Sequence, residues 1–179
     1  MMDDKNLRSI CRKTQASRRI GFTSSEFQEN LDGDFKSSVD EMAIEKIKSD
    51  IEGRCIGEGY VIPNTIKLIK RGGISFPHEA LQLHYSIQVS YEFMLCNPNP
   101  GTILKCKVVT KNKIGILGRL NNDKSPLVIL IPRDLCDTKE KMDILLASNK
   151  GDDIKIIVIG KKFEQNDKKI TVIAEIAME

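Results

Sequence analysis

The chain has no tryptophan, and aromatic residues make up only 5% of its 179 residues. A surface that works by stacking rings therefore has little material, and Phe163 is the one aromatic after Phe93. No apolar run approaches the ~18 uninterrupted residues that a membrane helix needs, and MMDDKNLRSICRKTQASRR has no apolar centre of signal-peptide length. We therefore expect no membrane association. The five cysteines (Cys11, Cys55, Cys96, Cys106 and Cys136) are odd in number, widely spread and never arranged as C-x-x-C. That pattern points to neither a disulfide framework nor a zinc ribbon, and reads as reduced thiols in an intracellular protein. G-x-S-x-G, H-E-x-x-H and Walker patterns are missing, and the Gly57/Gly59 and Gly115/Gly118 pairs lack the third glycine of a dinucleotide fingerprint. His78 and His84 have no thiol or carboxylate at ligand spacing, and Asp32-Gly33-Asp34 lacks the later ligands of a calcium loop. The expectation is a protein with no metal, no cofactor and no active site of its own.

What is present is 40% hydrophobic residues, enough for packed cores in one ordinary domain or two small ones. A net charge of +3 identifies no partner by itself, but its distribution is uneven. Residues 1–97 carry 13 basic and 14 acidic side chains, whereas residues 98–179 carry 15 and 11.

Residues 1–18 are polar and basic without hydrophobic periodicity and read as a flexible leader, with a short strand starting near Arg19. A helix is predicted from Ser38 to Ile51, opened by the Ser38/Glu41 capping box, with Val39, Met42, Ala43, Ile47 and Ile51 on one stripe. The period then changes to two, with strand-like runs at Cys55–Ile62 and Thr65–Ile69. From Leu81 to Leu95 every second residue is apolar, the pattern of an antiparallel sheet buried on one face, for which the helix is the natural cover. Residues 19–97 thus read as an α+β domain, an antiparallel sheet packed on one helix. Asn97-Pro98-Asn99-Pro100-Gly101 is the expected boundary, since two prolines and a glycine cannot continue a central strand.

Residues 98–179 show five short apolar segments: Thr102–Val109, Ile114–Leu120, Leu127–Ile131, Ile154–Ile159 and Ile170–Ile176. A helical piece, Lys139–Ser148, lies between the third and fourth, introduced by Asp137. This is the element order of an all-β, five-stranded oligonucleotide/oligosaccharide-binding (OB) barrel, whose ligands bind the face of strands two and three. Lys105 and Lys107 alternate with apolar residues on the first strand, Lys111 and Lys113 fall at the first loop, Arg119 on strand two, and Lys161, Lys162 and Phe163 before the last strand. Those cations suit a phosphate backbone, and Phe163 is the candidate for stacking a base. Strand two offers no ring.

Glu52-Gly53-Arg54-Cys55-Ile56-Gly57-Glu58-Gly59-Tyr60-Val61-Ile62, following the helix, resembles the E-G-x-C-x-G-x-x-G-Y segment of the stalk-subunit family of multisubunit RNA polymerases, to which the seventh subunit of RNA polymerase II and its archaeal counterpart belong. The segment is one residue shorter here between Gly57 and Gly59. Tyr85 to Val109 resembles the family's long strand, its proline junction and the opening of its barrel. The resemblance runs from about residue 19 to 176 in the family's order. It implies a non-catalytic accessory subunit whose Gly53, Cys55, Gly57, Gly59 and Tyr60 dock on polymerase core subunits beside a small helical stalk partner. Its barrel would meet nascent single-stranded RNA. The location implied is the nucleus for a cellular eukaryotic source, or the cytoplasm or virion for a large DNA virus, which the isoleucine-, lysine- and asparagine-rich composition would suit. Two other readings stand beside it: a free-standing OB-type RNA-binding factor in translation or RNA decay, and a small enzyme whose carboxylates converge only in three dimensions.

Overall fold

The computed structural model describes residues 9–23, 25–26, 35–75, 84–120 and 125–178. Residues 1–8 of the expected leader, Asp32-Gly33-Asp34, His78, Leu81 and Leu83 lie outside them. In chain order the elements are β1 (Cys11–Thr23), α1 (Phe35–Ile51), β2 (Cys55–Ile56), β3 (Gly59–Val61), β4 (Lys67–Ser75), β5 (His84–Cys96), β6 (Ile103–Lys111), β7 (Gly115–Arg119), β8 (Leu127–Pro132), α2 (Lys139–Ala147), β9 (Asp153–Lys162) and β10 (Ile170–Ile176). They fall into two compact units, one made of Lys13–Glu52 and Ile62–Met94, the other of Met1–Arg12, Gly53–Val61 and Leu95–Glu179.

In the first unit β5 pairs with β4 in antiparallel register and has β1 as its other neighbour. Ile87, Val89, Tyr91 and Phe93 are buried, as the alternation of β5 predicts, and the rings of Tyr91 and Phe93 stack at 5.7 Å. β1 begins at Cys11, eight residues before the expected start near Arg19. Its inward positions include Thr14, Ala16 and Arg18 before the apolar Ile20 and Phe22, so small and polar residues hide a period of two. β4 also runs beyond Ile69 to Ser75, because two register shifts, at Leu68/Lys70 and Arg71/Ile74, break the alternation on which the sequence reading relied.

Helix α1 starts at Phe35, which places Ser38 within the helix and not at its cap. Val39, Ala43 and Ile47, four residues apart, are its buried stripe. Its polar residues tie it to strands: Arg71 meets Asp40 at 2.9 Å, Arg18 meets Asp50 at 2.6 Å, and Lys46 donates to the Gly21 carbonyl at 2.8 Å while lying 4.6 Å above the Phe22 ring. These ion pairs are partly exposed and contribute little each, about 0–1 kcal/mol. The buried apolar side chains, at roughly 1.5–3 kcal/mol apiece, carry the packing.

In the second unit, β6 to β10 close a five-stranded barrel in the order β10-β8-β7-β6-β9. β10 runs parallel to β8, and the other pairs are antiparallel. With α2 between β8 and β9, this is the order of an OB barrel, and closure leaves the barrel without an unpaired edge. Leu104, Ile116, Ile129, Ile156, Val172 and Ile176 fill its interior. The cap of α2 is Thr138, whose hydroxyl accepts from the Lys141 amide at 3.3 Å, one residue after the expected Asp137. Asp137 instead pairs with Lys141 at 3.1 Å.

Candidate nucleic-acid interface

Barrel register decides which of the expected cations share a surface. Leu104, Cys106 and Val108 of β6 point into the core, so Lys105 and Lys107 stand on the outer face. Lys107 lies directly opposite Arg119 of β7. One residue beyond the Gly118–Ile129 pair, Arg119 comes level with Val128, which pairs with Thr171, which in turn pairs with Lys162. Lys107, Arg119 and Lys162 therefore edge one outward row across five strands, and all three are exposed.

The next outward row, two residues along, is apolar. Leu117 pairs with Leu130, which pairs with Ile173. Leu130 and Ile173 are exposed, as is Ile114 at 79% in the β6–β7 turn. A cavity of about 170 Å³ opens here against Ile114, Gly115, Leu117, Leu130 and Pro132. The Asn112 side chain shapes the turn by accepting from the amides of Ile114 and Gly115, both at 3.0 Å, and exposed Lys113 lies between Asn112 and Ile114. A strip of exposed aliphatic surface beside a row of cations can hold phosphates and contact bases without stacking them.

Two expected cations have other work. Lys111 donates to the carbonyls of Leu146 and Ser148 at 2.6 and 3.0 Å, where the C-terminal end of α2 leaves acceptors unsatisfied. Lys161 is half-buried and donates to the Asn97 side chain. Burial, followed by the nearby Arg12 charge, holds its ammonium below the usual lysine pKa. Phe163, at the exit of β9, is half-buried beside exposed Lys162.

No protein-family model and no curated protein matches the chain.

The glycine segment forms a hairpin, not the single Cys55–Ile62 strand that its period of two implies. β2 and β3 pair through Cys55–Tyr60 and Ile56–Gly59, and Gly57-Glu58 makes the turn. Gly53 adopts φ +70° and donates to the Val61 carbonyl at 3.1 Å, closing the base of the hairpin. Gly59 is required at its position, since φ is +143° and a Cβ would stand 2.5 Å from the Cys96 carbonyl oxygen. Cys55 is buried, with its amide donating to the Asp167 carbonyl and its carbonyl accepting from the Asn166 amide, both at 2.8 Å. Its thiol is pushed up to about 11 by burial and by the Asp167 charge. Burial also raises the Tyr60 phenol. Arg54, Gly57 and Glu58 face solvent, Glu58 pairing with Arg12 at 3.1 Å.

Asn97 was legible only as part of a proline junction. Its side chain accepts from Lys161 and donates to the Glu58 carbonyl at 2.7 Å, while its amide donates to the Ile10 carbonyl at 2.9 Å. Its partners lie between 39 and 87 residues away in sequence, so no local signal could have announced them. Among the described residues no cluster of three or more acidic, histidine or cysteine side chains could hold a metal ion, and no helix is long and apolar enough to cross a membrane.

Proposed function

We propose that the chain is a non-catalytic stalk subunit of a DNA-dependent RNA polymerase, docking on the core through the exposed part of its glycine hairpin and meeting nascent RNA on its barrel. The observation that carries this reading is a barrel of OB order following a sheet-and-helix unit, with the E-G-x-C glycine segment between helix and barrel as in the family it resembles. On this reading α1 covers the antiparallel sheet, and the docking contact is made by Arg54, Gly57 and Glu58, because Cys55, Gly59 and Tyr60 are buried. A free-standing RNA-binding factor would use the same barrel face but has no need of the hairpin.

RNA contact is expected to be weak, sequence-tolerant and salt-sensitive. With about three phosphates neutralised by Lys107, Arg119 and Lys162, the slope of log affinity against log salt should be near ~ −2, from ~0.7 counterions per single-strand phosphate. Fluorescence anisotropy with unstructured RNA of mixed sequence measures it. Replacing the three by alanine should flatten the slope and weaken all sequences alike, whereas Lys111→Ala, whose ammonium already serves α2, should leave it unchanged. Equal slopes for the triple variant and the wild type would make the cationic row a solvated surface and remove RNA contact from the account.

A further inference from the structure

Three of the five thiols lie in one row of the second unit. Cys55 pairs directly with Tyr60, and Tyr60 with Cys96. The Asn97 amide donates to the Ile10 carbonyl at 2.9 Å, which brings the start of β1 against the end of β5 and sets Cys11 beside Cys96. The same register makes the Cys11 and Cys96 side chains direct cross-strand neighbours. Cys11 is half-buried and reachable from solvent, and Cys96 is fully buried behind it.

We propose that Cys11 and Cys96 are a peroxide-reactive pair, with Cys11 the attacking thiol and Cys96 the resolving thiol of an intramolecular disulfide. The Cys11 thiolate attacks one oxygen of a hydroperoxide, the O–O bond breaks, and the departing oxygen leaves as water (or alcohol) after taking a proton, so that Cys11 becomes a sulfenic acid. The Cys96 sulfur then attacks the Cys11 sulfur, the S–O bond breaks and a second water leaves with the Cys96 proton. Two thiols are oxidised and one peroxide is reduced. A hydrogen bond from Cys96 favours the thiolate of Cys11 and holds its pKa below the ordinary thiol value, the condition for attack. Cys96 itself is held far above that value, by the same hydrogen bond and by burial, so it waits as a thiol.

The other thiols are placed differently. Cys55 lies across Tyr60 from Cys96 and turns its thiol to the Lys169 carbonyl at 3.8 Å. Cys106 faces the barrel core, where burial pushes it to about 12. Cys136 is buried after β8 and its thiol is 4.0 Å from the Pro132 carbonyl. The bond would tie the start of β1 to the strand that leads into the Asn97–Gly101 junction.

The test is oxidation of the full-length protein with a small excess of hydrogen peroxide, followed by alkylation in denaturant and mass spectrometry. The expected product has lost about 2 Da, has two fewer alkylatable thiols, and yields a single linked peptide pair containing Cys11 and Cys96. In Cys96→Ser, dimedone should trap a sulfenic acid at Cys11, and in Cys11→Ser the buried Cys96 should stay reduced. Unchanged thiols, oxygen accumulating on Cys11 with Cys96 still alkylatable, or a link between any other two cysteines would each overturn the proposal. The wild-type peptide map decides this even if a serine variant folds poorly.

Discussion

Gly115→Val is expected to unfold the barrel at denaturant concentrations where the wild type is intact, with a loss of about 3 kcal/mol or more. Gly115 opens β7 opposite Pro132, and its φ of +154° brings the backbone so close to β8 that an added Cβ would clash with the Ile131 carbonyl oxygen and touch the Pro132 Cα at 3.0 Å. Both atoms belong to backbone that is fixed by the ladder, so neither can swing away as a flexible side chain would. Relief requires β7 and β8 to separate, which breaks the pairs from Gly115–Pro132 to Gly118–Ile129 and opens the closed sheet. Gly160→Ala is the matched control, since nothing lies within 4 Å of a Cβ there and no left-handed φ is needed. It should stay within about 1 kcal/mol of the wild type. Urea titration followed by circular dichroism compares the two, and similar midpoints would mean that β7 does not approach β8 as closely as described.

If the chain docks as the proposed stalk subunit, Gly57→Leu should release it from polymerase about thirtyfold more readily while leaving the urea midpoint unchanged. Gly57 is at the exposed tip of the β2–β3 hairpin, has no atom within 4 Å of an added Cβ and needs no left-handed φ, so the free protein accommodates a side chain. A docked surface pressed against that tip would not. A central interface position commonly costs about 2 kcal/mol or more when disrupted, which corresponds to that loss. Gly59→Ala should lower stability itself, because its Cβ would stand 2.5 Å from the Cys96 carbonyl oxygen. The two glycines, two residues apart, therefore separate binding from folding. If Gly57→Leu were retained as well as the wild type, the hairpin tip would not be the docking surface.

The barrel was legible because each of its strands has one buried face, so apolar residues recur at every second position, and Gly, Pro and Asn mark the turns. Ile170, Val172, Ala174 and Ile176 all point inward as that alternation requires. The start of β1 was not legible, since Thr14, Ala16 and Arg18 take inward positions without an apolar side chain of any size. Along the outer face, sequence found Lys107, Arg119 and Lys162 singly. Only the ladder register, through pairs such as Leu117–Leu130 and Thr171–Lys162, places them on one row. Sequence could not show the hydrogen bonds of Lys111 and Lys161, because their acceptors, the end of α2 and Asn97, are 35 and 64 residues away. The glycine segment was recognised as a motif, yet its buried side, where Cys55 bonds to Asn166 and Asp167, depends on contacts more than a hundred residues apart.

The most direct test is native purification of the tagged full-length protein from its source, at low salt, with identification of everything retained. The stalk account predicts the large subunits of a multisubunit RNA polymerase in near-equal amounts, with a small helical protein among the partners, and their loss with Gly57→Leu. Recovery with ribosomes or nucleases and without polymerase subunits would contradict it.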